Sequence, residues 1–196
     1  MSDTLKDAGW VTIELKGDFT FAACRAPVDV KYAFMTALRN ERPTLRGERV
    51  FTLNDLATEM SNDEIIEKLG GRNAVAITPQ EVLTFLETAN NKYRYLFYVD
   101  GVGDAKIFIA VDADWQRGRW SAQGLPLLQD KWPKQIRVVT RERLGNINQV
   151  NEFLTTAERN IERRYLFHVR KGSDANHEYH SLSAQWDGKA FKVEVA

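Results

Sequence analysis

Four aspartates fall within fifteen residues of the chain, and carboxylates grouped in this way can do chemistry. Asp112 and Asp114 lie two apart on a predicted strand, so their side chains point to the same face. Asp100 and Asp104 fall in the predicted loop before that strand. Such a group can bind a hard cation or supply an acid and a base. A solvated strand face explains the same pattern, so a metal-dependent enzyme using the Asp100–Asp114 cluster is kept as an alternative.

The histidines and the single cysteine are weaker candidates for chemistry. His177 and His180 are three residues apart, and on a strand that spacing puts their side chains on opposite faces, which is unfavourable for one metal ion. Cys24 ends a predicted strand with no histidine near it in the sequence, which is typical of a buried, unreactive thiol. We therefore predict no bound metal and no cofactor.

Four arginines occur close together in a polar stretch that Pro43 and Gly47 mark as a loop. They are Arg39, Arg42, Arg46 and Arg49. The guanidinium fork suits carboxylates and phosphates, so this stretch is a candidate contact surface, although a solvated loop has the same composition.

The stretch GLPLLQDKWPKQ, residues 124–135, is unusually apolar for a linker because it contains Leu128 and Trp132. Those side chains need something to pack on. Packing between the neighbouring segments is one explanation, and an anchor for a binding partner is the other, because tryptophan and arginine dominate interface hot spots. Trp120 extends this second candidate surface.

Overall composition excludes several classes of protein. The 196 residues include 27 basic and 27 acidic side chains, so the formal net charge is zero and gives no long-range attraction to nucleic acid or anionic lipid. The N-terminus lacks a basic segment followed by an apolar one, and no apolar run approaches the roughly 20 residues that span a bilayer. We expect a cytoplasmic protein with no membrane partner.

The N-terminal region, residues 1–72, is predicted to contain both strands and helices. WVTIELKGDFTFAAC alternates like a hairpin, and VDVKYAFMTALRN has the apolar spacing of an amphipathic helix. FTLNDLATEM is predicted as a short helix. A second short helix should follow Ser61, because Ser61 and Glu64 have the spacing of a capping box.

Beyond residue 72 the chain contains two similar segments. The apolar helix position Val82 corresponds to Val150 at an offset of 68, and Trp115 corresponds to Trp186 at an offset of 71. The strand sequence YLF occurs in both segments, at 95–97 and again 70 residues later. The changes of offset fall in predicted loops, where insertions are tolerated. We infer an internal duplication of a β-α-β-β-β unit.

The predicted fold class is therefore α+β, with two tandem β-α-β-β-β units, each a helix on a curled antiparallel sheet. The units occupy 73–123 and 136–196, they are joined by the linker 124–135, and an α/β region precedes them. QIRVVT is the predicted first strand of the second unit.

The favoured function is a non-enzymatic module that binds another protein, in an adaptor, inhibitor, immunity or effector role. A single-stranded nucleic-acid binding protein that stacks bases on sheet aromatics is the alternative, besides the metal-dependent enzyme. The predicted binding residues are Arg39, Arg42, Arg46, Arg49, Trp120, Leu128 and Trp132.

Overall fold

The computed structural model of the chain describes residues 4–16, 20–40, 47–100, 108–127, 131–141, 143–144, 147–157, 159, 161, 164–170 and 179–195. The N-terminal region contains β1 (Leu5–Leu15), a 3-10 turn (Phe21–Ala23), β2 (Val28–Tyr32), α1 (Ala33–Asn40), β3 (Gly47–Leu56), α2 (Asn62–Lys68) and α3 (Arg72–Val75). The middle segment contains β4 (Ala76–Ile77), α4 (Pro79–Thr88), β5 (Tyr95–Asp100), β6 (Phe108–Gln116) and β7 (Arg119–Leu125). The C-terminal segment contains β8 (Arg137–Arg141), β9 (Arg143–Leu144), α5 (Ile147–Thr156), β10 (Arg164–Arg170), β11 (Tyr179–Trp186) and β12 (Phe191–Val195).

The strands form one large mixed sheet with the order β12-β11-β10-β3-β8-β5-β6-β7-β2. Three further strands lie off this path, because β1 pairs with β3, β4 with β5 and β9 with β10. Helices and strands thus occur together in one structure, and the predicted α+β class is confirmed. No helix among the described residues is long and apolar enough to cross a membrane.

The helices cover the sheet unevenly. The largest core cluster joins α1 and α4 to the face of the sheet that carries Phe97 and Val111. A second cluster, around Tyr98 and Trp132, covers the opposite face. A smaller third cluster joins α5 to β10 and β11. The β5 strand is therefore buried on both faces, which explains its continuous apolar sequence YLFYV.

The N-terminal region differs from its prediction in three ways. The segment FTLNDL is the second half of β3 and not a helix, because β1 and β8 both pair with it and satisfy its backbone. The predicted hairpin is absent from the described residues, where β1 pairs with β3 and only a 3-10 turn follows at Phe21–Ala23. The helix predicted from VDVKYAFMTALRN begins only at Ala33, after strand β2.

Helix capping follows the sequence closely. Ser61 and Glu64 form the predicted capping box at the start of α2. A second capping box, formed by Thr78 and Glu81, begins α4, and Pro79 occupies its first turn. Each box satisfies backbone N–H groups that the first turn leaves without helical partners.

Strands β3 and β8 pair with each other, and each also pairs with a strand of a segment distant in sequence. The strand predicted from QIRVVT is present as β8, but it pairs in parallel with β5 and antiparallel with β3. In turn, β3 pairs in parallel with the first residues of β10. The short strands β4 and β9 pair in parallel with the ends of β5 and β10. Each antiparallel meander, β5-β6-β7 and β10-β11-β12, thus lies beside a strand that precedes the other one in sequence.

Candidate functional site

The arginines of the candidate loop are distributed between surface and core. Arg39 is exposed at the end of α1, and Arg42 and Arg46 lie outside the described residues. Arg49 is buried on β3, with 5% of its surface exposed. Its Nε lies 3.1 Å from the carboxylate of Glu81.

Glu81 is held inside the protein by two arginines. Arg141 donates two hydrogen bonds to its carboxylate, of 2.9 Å to Oε1 and 2.6 Å to Oε2, while Arg49 approaches Oε1. Burial alone would raise the pKa of Glu81, but the charge and hydrogen bonds of Arg141, then the charge of Arg49 and the Thr78 N–H, hold it at about 2. Arg49 is therefore paired within the fold, where it shares the one carboxylate of Glu81 with Arg141.

The two tryptophans of the second candidate surface are also buried. Trp120 and Trp132 each expose 1% of their surface. The indole of Trp120 donates to the backbone oxygen of Leu86, and that of Trp132 donates to the side chain of Asn62. Leu128 lies outside the described residues.

The aspartates on β5 and β6 have partners of their own. Asp100 accepts a hydrogen bond from Arg72, and Asp112 accepts two from Arg94, each of 2.7 Å. Asp104, like His177, lies outside the described residues. Across the residues that the structure describes, no group of three histidines, cysteines or carboxylates could hold a metal ion.

Cys24 is partly buried between the loop and α4. Burial raises the pKa of its thiol to about 11. A thiol with a raised pKa is a poor nucleophile at neutral pH, as the sequence predicts.

A cleft of about 710 Å³ between described residues opens to solvent. Segments far apart in the sequence build it: the start of β1, the end of β3, the turn before β5 and the segment before β8. Its lining residues are Lys6, Asp55, Leu56, Ala57, Lys92, Tyr93, Arg94, Asp114, Pro133, Lys134, Gln135 and Ile136. We call it the lysine cleft.

Three exposed lysines surround this cleft: Lys6, Lys92 and Lys134. No described residue forms an ion pair with any of them. The arginines near the cleft are already paired. Arg94 binds Asp112. Arg137, which lies beneath the cleft, donates two hydrogen bonds to Asp55, of 2.7 and 2.8 Å. The lysine cleft therefore offers free positive charge beside fixed ion pairs.

The wall of the lysine cleft is held in a defined shape. The guanidinium of Arg137 lies 3.8 Å from the centroid of the Tyr93 ring, which fixes the turn before β5. Gln135 has a φ of 73°, a conformation that costs energy in residues other than glycine, and its N–H donates to the oxygen of Leu56. Strained backbone of this kind is concentrated at functional sites.

Sequence reasoning did not identify this cleft, because its lysines have no shared motif or spacing. Lys6 and Lys134 are each isolated in the sequence and come together only through the pairing of β1, β3 and β8. No protein-family model, no curated protein and no solved structure matches the chain.

Proposed function

We propose that the chain is a non-enzymatic protein-binding module whose lysine cleft receives an acidic segment of a partner protein. The observation that carries this proposal is the presence of three lysines, without ion-pair partners among the described residues, around one open cleft. A carboxylate-rich segment would meet the ammonium groups of Lys6, Lys92 and Lys134 while its backbone lies along the polar wall. Adaptor, inhibitor, immunity and effector proteins all use such recognition of one chain by another.

We also infer that the 73–123 and 136–196 segments are two copies of one unit. The rings of Phe85 and Phe97 lie 5.4 Å apart at 77°, and those of Phe153 and Phe167 lie 5.3 Å apart at 76°. These residues join the helix of each segment to its first long strand, so equivalent sequence positions have nearly equal ring geometry. Similar edge-to-face contacts occur between Trp115 and Trp120, at 5.3 Å, and between Trp186 and Phe191, at 5.2 Å.

The single-stranded nucleic-acid alternative needs exposed aromatic rings on the sheet and free arginines in the loop. Tyr95, Phe97 and Trp120 are buried in the core, and Arg49 is paired with Glu81. These features favour a protein partner over a nucleic acid.

The aspartate cluster gives little support to the alternative of a metal-dependent enzyme. The carboxylates of Asp100 and Asp112 are each paired with an arginine, which lowers their capacity to bind a cation. Asp114 accepts a hydrogen bond from Gln116 on the same strand. Of the three functions, protein binding accounts for the most features of the described structure.

The test is a binding measurement with three labelled probes: a glutamate-rich decapeptide, its glutamine counterpart and an oligothymidylate of the same length. We expect the glutamate peptide alone to bind, and we expect K92E/K134E to weaken that binding by about tenfold or more. K68E/K189E reverses two exposed lysines outside the cleft, so it changes the net charge by the same amount and is the matched control.

Fluorescence anisotropy reports all three affinities at one salt concentration. Equal loss of binding in K68E/K189E and K92E/K134E would show that the peptide responds to net charge and not to the cleft. Tighter binding of the oligothymidylate than of the glutamate peptide would favour a nucleic acid as the ligand of the cleft. Absence of binding by every probe would overturn the assignment of the cleft.

A further inference from the structure

We propose that β12 pairs edge to edge with β12 of a second copy of this chain, in an antiparallel join centred on Val193. The proposal concerns the opposite end of the sheet from β2 and does not depend on the lysine cleft. It rests on the state of the sheet edge, on the apolar row along β12 and on the order of its charges.

The sheet ends in β12 on one side and in β2 on the other, and no described strand pairs with the outer edge of either. At one end β2 covers the outer edge of β7 over five residues, from Val28 opposite Trp120 to Tyr32 opposite Gly124. At the other end β12 pairs with β11 on its inner edge, and no described strand pairs with its outer edge. An uncovered edge carries backbone groups that are ready to pair with another strand.

An apolar row on β12 reaches this edge. Phe191, Val193 and Val195 alternate with Lys192 and Glu194, so the three apolar side chains share one face of the strand. Phe191 and Val193 are half-buried against the α5 core, while Val195 remains 76% exposed. A second apolar row added beside this one would extend the small third core.

The charges of β12 are self-complementary in one register. When two β12 strands pair antiparallel with Val193 opposite its own copy, all five residues align and Phe191 lies opposite Val195. In that register Lys192 of each copy lies opposite Glu194 of the other. Cross-strand pairs of opposite charge and aromatic pairs with β-branched residues both stabilise a sheet.

The neighbouring registers are disfavoured by the same side chains. The apolar faces of the two β12 strands coincide only in registers that are centred on a residue. The nearest alternatives to Val193 are therefore centred on Lys192 or on Glu194. Each alternative places like charges directly opposite one another, which is destabilising. Lys192 and Glu194 therefore favour the register centred on Val193 and disfavour the neighbouring registers.

The C-terminal end of β12 is also unsuited to a strand and helix like β2 and α1, which pack on β7. A Cβ on Gly124 of β7 would lie 2.4 Å from the backbone nitrogen of Phe34, so glycine is required where α1 crosses that strand. In the proposed duplication, Val195 occupies the corresponding position of β12. This step alone uses the duplication, and it indicates that a plain strand fits the β12 edge better than a strand followed by a closely packed helix.

The side chains that make the proposed pairs are available at the edge. Lys192 has 68% of its side chain exposed and forms a 3.4 Å ion pair with Asp187, which the cross-strand pair with Glu194 would share or replace. Glu194 is exposed as well. Both residues line a cleft of about 430 Å³ on the face of the sheet over β10 and β11, so their side chains are open to solvent.

The experiment is sedimentation equilibrium of the full chain and of three variants, from low to high micromolar concentration. We expect a reversible dimer for the native chain, because a five-residue edge makes only a small interface. K192E and E194K each turn two attractive cross-strand pairs into two repulsive ones, so each should weaken dimerisation by about tenfold. K192E/E194K restores opposite charges and should dimerise like the native chain.

Thermal unfolding of each variant verifies that the monomer fold is intact, and K189E on the adjacent turn controls for a general change of charge. Recovery of the dimer in the double variant is the result that supports the register. A native chain that stays monomeric throughout would overturn the proposal. So would a dimer that none of the β12 variants weakens, or a double variant that dimerises no better than either single one.

Discussion

The indole nitrogen of Trp132 donates a 2.8 Å hydrogen bond to the side-chain oxygen of Asn62. The same oxygen accepts a 2.9 Å hydrogen bond from the hydroxyl of Tyr98, and the Asn62 amide donates to the backbone oxygen of Leu127 at 3.0 Å. One buried asparagine at the start of α2 thus connects the linker between the two segments to the central strand β5. This network gives the apolar linker residue Trp132 a structural role in the core.

Replacing Trp132 by Phe should destabilise the protein by about 1–3 kcal/mol, because the buried Asn62 oxygen loses one of its two donors. The free energy of unfolding in urea measures this cost. Trp10 is 65% exposed on β1, so Trp10→Phe is the control and should change stability by less than about 0.5 kcal/mol. Equal costs for both variants would contradict the role of the network.

The Glu81 ion pairs predict a specific dependence of stability on pH. The pKa of Glu81 is about 2 in the folded protein, against about 4.3 in an unfolded chain. Because the folded value is the lower one, the stabilisation is complete above about pH 5 and is lost as the pH falls towards 2. The contribution is on the order of 3 kcal/mol.

Glu81→Gln tests this assignment. It removes the carboxylate and leaves Arg49 and Arg141 buried without compensation, so we expect a loss of about 3–5 kcal/mol at neutral pH. The variant should also lose the part of the pH dependence that Glu81 supplies. Glu67→Gln alters an exposed residue of α2 and serves as the control. Unchanged stability between pH 5 and 2 in the native protein would disprove the assigned pKa.

Phe97 and Phe167 should make similar contributions to stability. Both are buried, on β5 and β10, and both contact the phenylalanine of the covering helix. Truncation of either to Ala should cost about 3–5 kcal/mol, measured by denaturant unfolding. Phe21→Ala is the control, because Phe21 lies in the exposed 3-10 turn. Costs below about 1 kcal/mol for both core variants would be incompatible with the packing described here.

Local signals in the sequence were sufficient where neighbouring residues decide the structure. The capping box at Ser61 is predictable because capping involves residues only three apart. The strands β5 and β6 were predicted from their apolar sequence and alternation. The region around β3 was missed because FTLNDL acquires its strand conformation from β1 and β8, which are distant in sequence.

The candidate site depended on distant contacts throughout. Arg49 is one of four arginines in a polar stretch, and nothing near it in sequence indicates that it would pair with Glu81, which also binds Arg141. The lysines of the cleft gave no signal because they come from separate segments. Trp132 raised two explanations in the sequence, and its burial beside Asn62 agrees with packing between segments.

The exchange of strands around β3 also affects how the chain is made. Arg49 of β3 pairs with Leu166 of β10. This edge of β3 is synthesised on the order of 100 residues before its partner. At a translation rate of about 5–20 residues per second, that edge waits for roughly 5–20 s. During this interval β1 can already protect the opposite edge, since it precedes β3 in the chain. During synthesis one edge of β3 is therefore without its partner strand for several seconds, and an uncovered edge of this kind is open to pairing with other strands.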